Sequence, residues 1–320
     1  MAAIFYGTGY GNGFPDTSTA FVEINDDGSA NVLVGAVDVG QGSDNLFAQI
    51  AAEELGIDLT EVTVVSADTD CTTDAGTTAA TRQTYTTGNA VREAARKARE
   101  LLWQRAAKEL QVTVEGLEAG AGRIFVKGFP DRSVAIAQIC SQARLEGQRF
   151  LGVGKSMAHT VQMDPETGQG IPYWPYAFAT QIAEVEVDTE TGVVEVLRIT
   201  AAHDVGKALN RQQVEGQIEG GVVQGVGYAL LEEVELGGGK IKNPAMSAYL
   251  IPTMLDAPEI ETIIVEDPEP TGPYGAKGVG EPALIPTAPA ILNAIYDAIG
   301  VRITNLPATP EKILAGLWNK

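Results

Sequence analysis

Alternating hydrophobic and polar positions recur along the chain and predict short strands that bury one face. The stretches with this pattern are residues 20–24, 30–34, 62–66, 179–187 and 193–200. Residues 25–28, Asn-Asp-Asp-Gly, favour a tight turn that joins the first two strands as a hairpin. Residues 188–192 favour a second turn between the last two strands.

Other stretches repeat their apolar residues with the period of an α-helix. They are residues 43–55 and 89–110. A helix rich in Gly and Gln is predicted at about residues 213–231, and a final helix near 286–299, which Gly300 closes. Residues 68–87 predict a polar, threonine-rich loop, and residues 244–273 an extended segment punctuated by prolines. Residues 111–149 are less readable, and no element is predicted there. The mixture predicts an α+β fold, which we divide into residues 1–150 and 151–320.

The charge balance of the chain narrows its choice of partners. The net charge is −20, from 22 Lys and Arg against 42 Asp and Glu, which disfavours nucleic acid and anionic membranes. A phosphate-bearing ligand would therefore need local backbone N–H groups and a few placed cations. No apolar run approaches the length of a membrane span, and the N-terminal residues lack the pattern of a signal peptide. We therefore expect a cytoplasmic protein.

Metal-ligating side chains are scarce. The two cysteines, Cys71 and Cys140, lack the spacing of an iron–sulfur or zinc site. His159 and His203 are the only histidines, and we expect His203 to order the end of a strand.

Two segments have the composition of anion-binding loops. Gly40-Gln41-Gly42 lies between a strand and a predicted helix, where free backbone N–H groups can hold an anion. Thr81, Arg82 and Gln83 belong to a donor-rich run, and a guanidinium can bind two pyrophosphate oxygens at once. An ordinary strand–helix turn and a solvated threonine loop are the competing interpretations.

Two further residues carry candidate chemistry. Gln217 lies on a helix with five glycines between residues 216 and 227. Glycine costs a helix about 1 kcal/mol, so this helix either packs closely or lines a ligand. Glu281 stands between Gly280 and Pro282, where we expect partial desolvation to raise the pKa of its carboxyl and make it a usable base. Favourable placement near a helix N-terminus is the alternative.

Four segments, taken in order, resemble the C-terminal half of the molybdenum subunit of the xanthine dehydrogenase and aldehyde oxidoreductase family. They are GAVDVGQGSDNLFAQIAAEELGI, GTTAATRQTYTTGNAVREAA, HDVGKALNRQQVEGQIEGGVVQGVGYALLEE and YGAKGVGEPALIPTAPAILNAI. The resemblance covers nearly the whole chain. It implies two molybdopterin-binding subdomains with mixed sheets and packed helices, the second of which carries Glu281.

The resemblance also implies a role for each matching residue. Glu281 corresponds to the essential base beside molybdenum, and the metal takes no ligand directly from the protein. The bacterial pattern at Thr81-Arg82-Gln83 implies molybdopterin cytosine dinucleotide as the cofactor. The implied cofactor-binding residues are Gly40, Gln41, Gly42, Ala79, Ala80, Thr81, Arg82, Gln83, Gln217 and Gly280.

Family segments that resemble FGGK and FRG are missing from this chain. We therefore expect a split molybdenum subunit, similar to that of nicotinate dehydrogenase, with an expressed fragment as the alternative. The expected partners are a large molybdopterin subunit, a [2Fe-2S] subunit and an FAD subunit. The expected reaction is hydroxylation of an electron-poor carbon in a nicotinate-like ring, with water as the oxygen source. Purine or aldehyde oxidation, and a non-catalytic structural or cofactor-carrier role, stay open.

Overall fold

A computed structural model describes residues 1–11 and 13–319. The chain folds into two compact units. Unit A comprises Thr8–Pro175 and Glu269–Gly278, and unit B comprises Met1–Gly7, Tyr176–Pro268 and Val279–Lys320. Among the described residues, no helix is both long and apolar enough to cross a membrane.

Unit A contains two sheets, of which the larger has four strands in the order β4-β3-β2-β8. The strands and helices of this unit are β2 (Thr17–Ile24), β3 (Ala30–Val34), α1 (Ser43–Leu55), β4 (Val62–Ser66), α2 (Gln83–Leu110), β5 (Leu117–Gly120), β6 (Arg123–Val126), β7 (Phe129–Ala135), α3 (Ile136–Leu145) and β8 (Phe150–Met157). β2 runs antiparallel to both β3 and β8, whereas β3 and β4 are parallel.

Helix α2 lies directly against strand β8 because both present small residues. A Cβ atom on Gly152 or Gly154 would come within 1.9 Å of the carbonyl oxygens of Ala94 and Ala90, respectively. Only glycine permits this approach. The contact holds the N-terminal half of α2, and with it the loop that precedes the helix, against the sheet.

Unit B is built on a four-stranded sheet in the order β1-β9-β10-β13. Its elements are β1 (Ala2–Gly7), β9 (Tyr176–Val187), β10 (Val194–Asp204), α4 (Arg211–Leu230), β11 (Leu236–Gly237), β12 (Lys240–Ile241), β13 (Glu259–Val265), α5 (Thr287–Ile299) and α6 (Pro310–Trp318). β9 is antiparallel to β1 and β10, and β13 is parallel to β10. Ile199, Val222, Ile291 and Ile313 are fully buried members of its core, contributed by one strand and three helices.

The α+β class is confirmed, and so are the hairpin at residues 20–34, the strand at 62–66 and the helix that Gly56 ends. The two strands predicted at 179–187 and 193–200 form the greater part of β9 and β10. His203 is the penultimate residue of β10, as expected.

Other expectations were wrong. Helix α2 begins at Gln83 rather than Asn89, because its first turn is polar and yet buried. The helix at 286–299 is not the last, since α6 follows it. The unreadable stretch 111–149 contains β5–β7 and α3, whose short, partly exposed strands carry little periodicity.

The division between the two units lies elsewhere than at residue 150. That residue begins β8, which pairs with β2 in the sheet of unit A, so the chain leaves this unit only after Pro175. Residues 269–278 then return to unit A, and Met1–Gly7 belongs to unit B through its pairing with β9. Strand pairing between distant segments produces this arrangement, and local sequence patterns do not encode it.

Candidate functional site

The loop before α2 is built around the side chain of Arg82, which is 1% exposed. Its guanidinium donates to the carbonyl oxygens of Ala75 at 2.6 Å, Thr77 at 3.3 Å and Thr17 at 2.8 Å. Its Nε donates to Asp16 Oδ1 at 2.9 Å, which forms a buried ion pair. The guanidinium therefore holds the loop from within. The guanidinium was expected to bind two oxygens of a pyrophosphate. In the structure, protein oxygens accept most of its N–H groups instead.

Asp16 extends the same network to the glycine-rich turn at residues 8–11. Its second carboxylate oxygen accepts from the backbone N–H groups of Tyr10 at 3.0 Å and Gly11 at 3.2 Å. The N–H of Gly9 donates to the carbonyl of Ala80 at 3.0 Å. One buried carboxylate thus connects the glycine-rich turn to the threonine loop within unit A.

The backbone of the threonine loop is strained at the point where it enters helix α2. Ala80 and Thr81 have φ angles of 54° and 57°, a left-handed conformation that non-glycine residues rarely adopt. α2 follows at once, and no side chain caps its N-terminus. Its first N–H groups have no partner within the helix, so they can bind an anion. Gln83 is buried, and its amide donates to Thr78 Oγ1 at 3.2 Å inside the loop.

The Gly40-Gln41-Gly42 loop is largely satisfied by its own residues. The carboxylate of Asp38 accepts from the N–H groups of Gly40 at 2.8 Å and Asp44 at 3.2 Å. The N-terminus of α1, which follows this loop, is therefore already occupied by a carboxylate of the chain itself. Burial raises the pKa of Asp38, but these backbone hydrogen bonds lower it more, and the net pKa is below its usual value. The Gln41 side chain also forms hydrogen bonds within the loop. Its amide oxygen accepts from the N–H of Val39 at 2.7 Å, and its amide nitrogen donates to Ser43 Oγ at 2.8 Å.

Thr78 brings these two loops together. Its hydroxyl accepts from the N–H of Val37 at 3.0 Å and donates to the carbonyl of the same residue at 2.9 Å. The structure therefore places two of the predicted cofactor segments, residues 40–42 and 79–83, on neighbouring loops of unit A.

The Glu281 turn belongs to unit B. Glu281–Ala283 forms a single 3-10 turn that directly follows Gly280. Glu281 is exposed, so the expected partial burial of its carboxylate is wrong for this chain: Pro282 and Ala283 take the buried positions instead. The hydroxyl of Tyr6, on β1, donates to the Glu281 carboxylate.

The glycines of α4 serve two purposes. A Cβ on Gly221 would lie 2.5 Å from Ala283 Cβ, and one on Gly225 would lie 2.4 Å from Thr287 Cβ. This half of the helix packs closely on the Glu281 turn and on α5. Gly216 and Gly220 instead have nothing within 4 Å of an added Cβ. Close packing therefore accounts for Gly221 and Gly225, whereas the interpretation as a ligand-lining surface stays a prediction for Gly216 and Gly220.

Gln217 lies in the open part of α4. It is half-buried, and no hydrogen bond joins its amide to another described residue. Residues four apart lie on the same face of a helix. Gln217 therefore lies on the same face as Gly221, and Gly221 contacts Ala283 in the Glu281 turn. A free amide beside a glycine surface is suited to hydrogen-bonding a ligand.

The two kinds of glycine predict opposite responses to alanine. Gly225→Ala should lower the free energy of unfolding by about 1–3 kcal/mol, because the new methyl group overpacks the contact with Thr287. Gly220→Ala should raise it by up to about 1 kcal/mol, because alanine favours a helix and meets open space. Urea unfolding of both variants measures the difference. Equal effects would contradict the assignment of Gly225 to a packed contact and of Gly220 to open space.

Sequence reasoning missed several residues of this arrangement: Tyr6, Asp16, Asp38 and Gln181. Of these residues, Gln181 could have been found from the sequence pattern of β9. The inward positions of β9 are Ala177, Ala179, Gln181 and Ala183, so a glutamine interrupts a row of alanines on the buried face. Within residues 1–11 and 13–319, no group of three or more His, Cys, Asp and Glu side chains is arranged to hold a metal ion.

Comparison with known proteins assigns these features to a family. Residues 1–258 match the family model of the molybdopterin cofactor-binding domain. The chain is 35% identical over 303 residues to a xanthine dehydrogenase molybdenum-binding subunit of Escherichia coli O157:H7, covering 92% of this chain and 39% of that protein. It is 33% identical over 302 residues to the gamma subunit of the 6-hydroxypseudooxynicotine dehydrogenase complex of Paenarthrobacter nicotinovorans, covering 93% and 37%.

A solved structure gives the same result for the fold. Quinoline 2-oxidoreductase from Pseudomonas putida 86 superposes with a TM-score of 0.87 at 28% identity, covering 100% of this chain and 42% of that chain. The chain therefore spans about two fifths of the length of the relatives that it matches. The family model, the relatives and the fold agree, and the chain belongs to the molybdopterin cofactor-binding domain family.

Proposed function

We propose that this chain is one part of the molybdenum subunit of a hydroxylase, in which Glu281 is the general base. The observation that carries the proposal is the position of Glu281. Its carboxylate is exposed and hydrogen-bonded to Tyr6, at the start of a turn whose other residues are buried. An accessible carboxylate on a firmly packed turn can accept a proton from a bound reactant.

Each unit, taken by itself, has groups that are compatible with molybdopterin in its cytosine dinucleotide form. Gln217 has a free amide beside the open surface at Gly216 and Gly220 in unit B. The uncapped N-terminus of α2 offers backbone N–H groups to phosphates in unit A. When bound, the cofactor supplies two-electron oxidation through its metal, and none of its metal ligands would come from this chain.

The chemistry assigned to the chain itself is proton transfer and orientation. Glu281 accepts a proton from the water-derived nucleophile as it attacks an electron-poor carbon. The Tyr6 hydroxyl holds the carboxylate in place. Gln41 and the backbone of residues 79–81 would contact the cofactor, and Arg82 would maintain the loop that does so.

The proposed substrate is a nitrogen heteroaromatic ring of the nicotinate type. Support comes from the names of two similar proteins: one structural neighbour is quinoline 2-oxidoreductase, and one relative is the gamma subunit of a 6-hydroxypseudooxynicotine dehydrogenase complex. The name of the Escherichia coli relative supports xanthine as the alternative. A larger molybdopterin subunit, a [2Fe-2S] subunit and an FAD subunit complete the proposed complex.

Analysis of the chain purified with its native partners tests this function. We expect stoichiometric molybdenum, release of cytidine monophosphate on acid hydrolysis, and iron and flavin in the partner subunits. Turnover of nicotinate, quinoline, xanthine and aldehydes in isotopically labelled water then identifies the substrate class and the source of oxygen. Absence of molybdenum, or product oxygen that comes from dioxygen, would contradict the proposal.

Gln217→Leu tests the cofactor contact in unit B. The variant should retain about two- to tenfold less molybdenum after dialysis, because it loses one hydrogen bond worth about 0.5–1.5 kcal/mol. Gln212→Leu, at an exposed position of the same helix, is the matched control. Equal molybdenum in both variants would remove Gln217 from the site.

A further inference from the structure

A buried polar cluster lies directly behind the Glu281 turn. Its centre is Gln181 on β9, which is 0% exposed. The Gln181 amide nitrogen donates to the carbonyl of Ala283 at 2.8 Å and lies 3.2 Å from His203 Nε2. Its amide oxygen accepts from the hydroxyl of Thr287 at 2.7 Å. His203 and Thr287 are also buried, so the cluster has no access to solvent.

The hydrogen bonds of this cluster fix the role of each group. The amide nitrogen of Gln181 has two protons and directs them to Ala283 and His203. His203 must then accept at Nε2 and carry its single proton on Nδ1. Burial lowers the pKa of His203 to about 4, so the ring is neutral near pH 7. All three polar groups of the Gln181 amide are therefore used, and its orientation is unique.

The Ala283 carbonyl needs this donor. Ala283 ends the 3-10 turn that Glu281 begins, and the residue three positions later is Pro286, which has no N–H to donate. The next N–H, of Thr287, donates to Leu284 instead. A buried carbonyl without a partner costs about 1–3 kcal/mol, so the Gln181 amide completes the turn. Thr287 supports Gln181 instead, because its one hydroxyl proton goes to the Gln181 amide oxygen.

The turn is held from a second side as well. Gly221 of α4 approaches Ala283 so closely that a Cβ atom would not fit. Gln181 and α4 thus restrain the end of the turn, while Glu281 at its start stays exposed. We propose that Gln181, with Thr287 and His203, is the positioning residue that sets the direction of the Glu281 carboxylate. The effect on turnover rests on the proposed function, whereas the restraint of the turn by Gln181 does not.

Gln181→Met tests the proposal, because methionine keeps the length of the side chain and removes all its hydrogen bonds. In the chain with its native partners, amide hydrogen exchange of Leu284 and Ile285 should accelerate at least about tenfold, since both N–H groups bond to the Glu281 carbonyl. Turnover per bound molybdenum should fall about 10- to 100-fold with KM unchanged, the signature of a misplaced catalytic group.

A second pair of variants keeps the test decisive if Gln181→Met folds poorly. Thr287→Val removes the hydroxyl at constant shape and should reproduce the faster exchange, whereas Thr287→Ser should restore the native rate. Gln138→Met, at an exposed position of α3, is the control for the substitution itself. Unchanged exchange at residues 284 and 285, with native turnover per molybdenum, would overturn the positioning role. Faster exchange without loss of turnover would also overturn that role, because the turn would then loosen without misplacing the carboxylate, whereas the assignment of Glu281 as base is tested separately by Glu281→Gln.

Discussion

Glu281→Gln should reduce kcat by about 100- to 10,000-fold, the range that general base catalysis contributes. Glutamine keeps the size of the side chain and can still accept a hydrogen bond from the Tyr6 hydroxyl, so the turn should remain folded. It cannot accept the proton of the nucleophile. Molybdenum content and assembly with partner subunits should therefore match the native protein, and steady-state kinetics per bound molybdenum measures the loss.

The control for this variant is Glu186→Gln. Glu186 is an exposed carboxylate on β9, in the same unit as Glu281. Its replacement removes one negative charge from unit B without touching the turn, and kcat should stay within about twofold of the native value. Native turnover by Glu281→Gln would exclude Glu281 as the base.

Arg82→Met should lower the free energy of unfolding by about 3–5 kcal/mol, the cost of breaking a buried ion pair. The substitution leaves Asp16 as an uncompensated buried charge and frees three backbone carbonyls that the guanidinium satisfies. Because the threonine loop loses its internal support, bound molybdenum and nucleotide should fall together with stability. Urea unfolding and metal analysis of the same preparation measure both effects.

Asp16→Asn separates the two possible roles of Arg82. This variant keeps the guanidinium but weakens its anchor and the hydrogen bonds to the glycine-rich turn. If Arg82 acts by holding the loop, Asp16→Asn should lose cofactor nearly as much as Arg82→Met. Full cofactor content in Asp16→Asn, with loss only in Arg82→Met, would show instead that Arg82 contacts the phosphates directly.

Much of the fold could be read from local patterns. The hairpin at residues 20–34 and the helix from Ser43 to Leu55 carry both periodicity and a glycine that ends or turns the chain. Strands β5–β7 were missed because they are short, and because the exposed positions of β5 and β7 do not alternate regularly. The start of α2 was misplaced because polar residues in its first turn, such as Thr86 and Thr87, are buried by contacts from other segments.

The candidate site was predictable as a set of segments but not as a set of contacts. The motif order identified Glu281, and the glycine-rich helix marked the surface near Gln217. The role of Arg82 could not be read in the same way. A guanidinium in a threonine-rich loop has the same local sequence whether it faces a phosphate or turns inward, and only the approach of Asp16 decides between these.

The sequence by itself determined the class of fold, the family and the identity of the candidate base, because periodicity and motif order depend on neighbouring residues. Tertiary structure alone decided which polar groups are already paired. Asp16 holds Arg82, and Gln181 supports the Glu281 turn, each across a distance that the chain closes only on folding. Buried hydrogen bonds form between whichever donors and acceptors the packed elements bring together, so their partners depend on the complete fold.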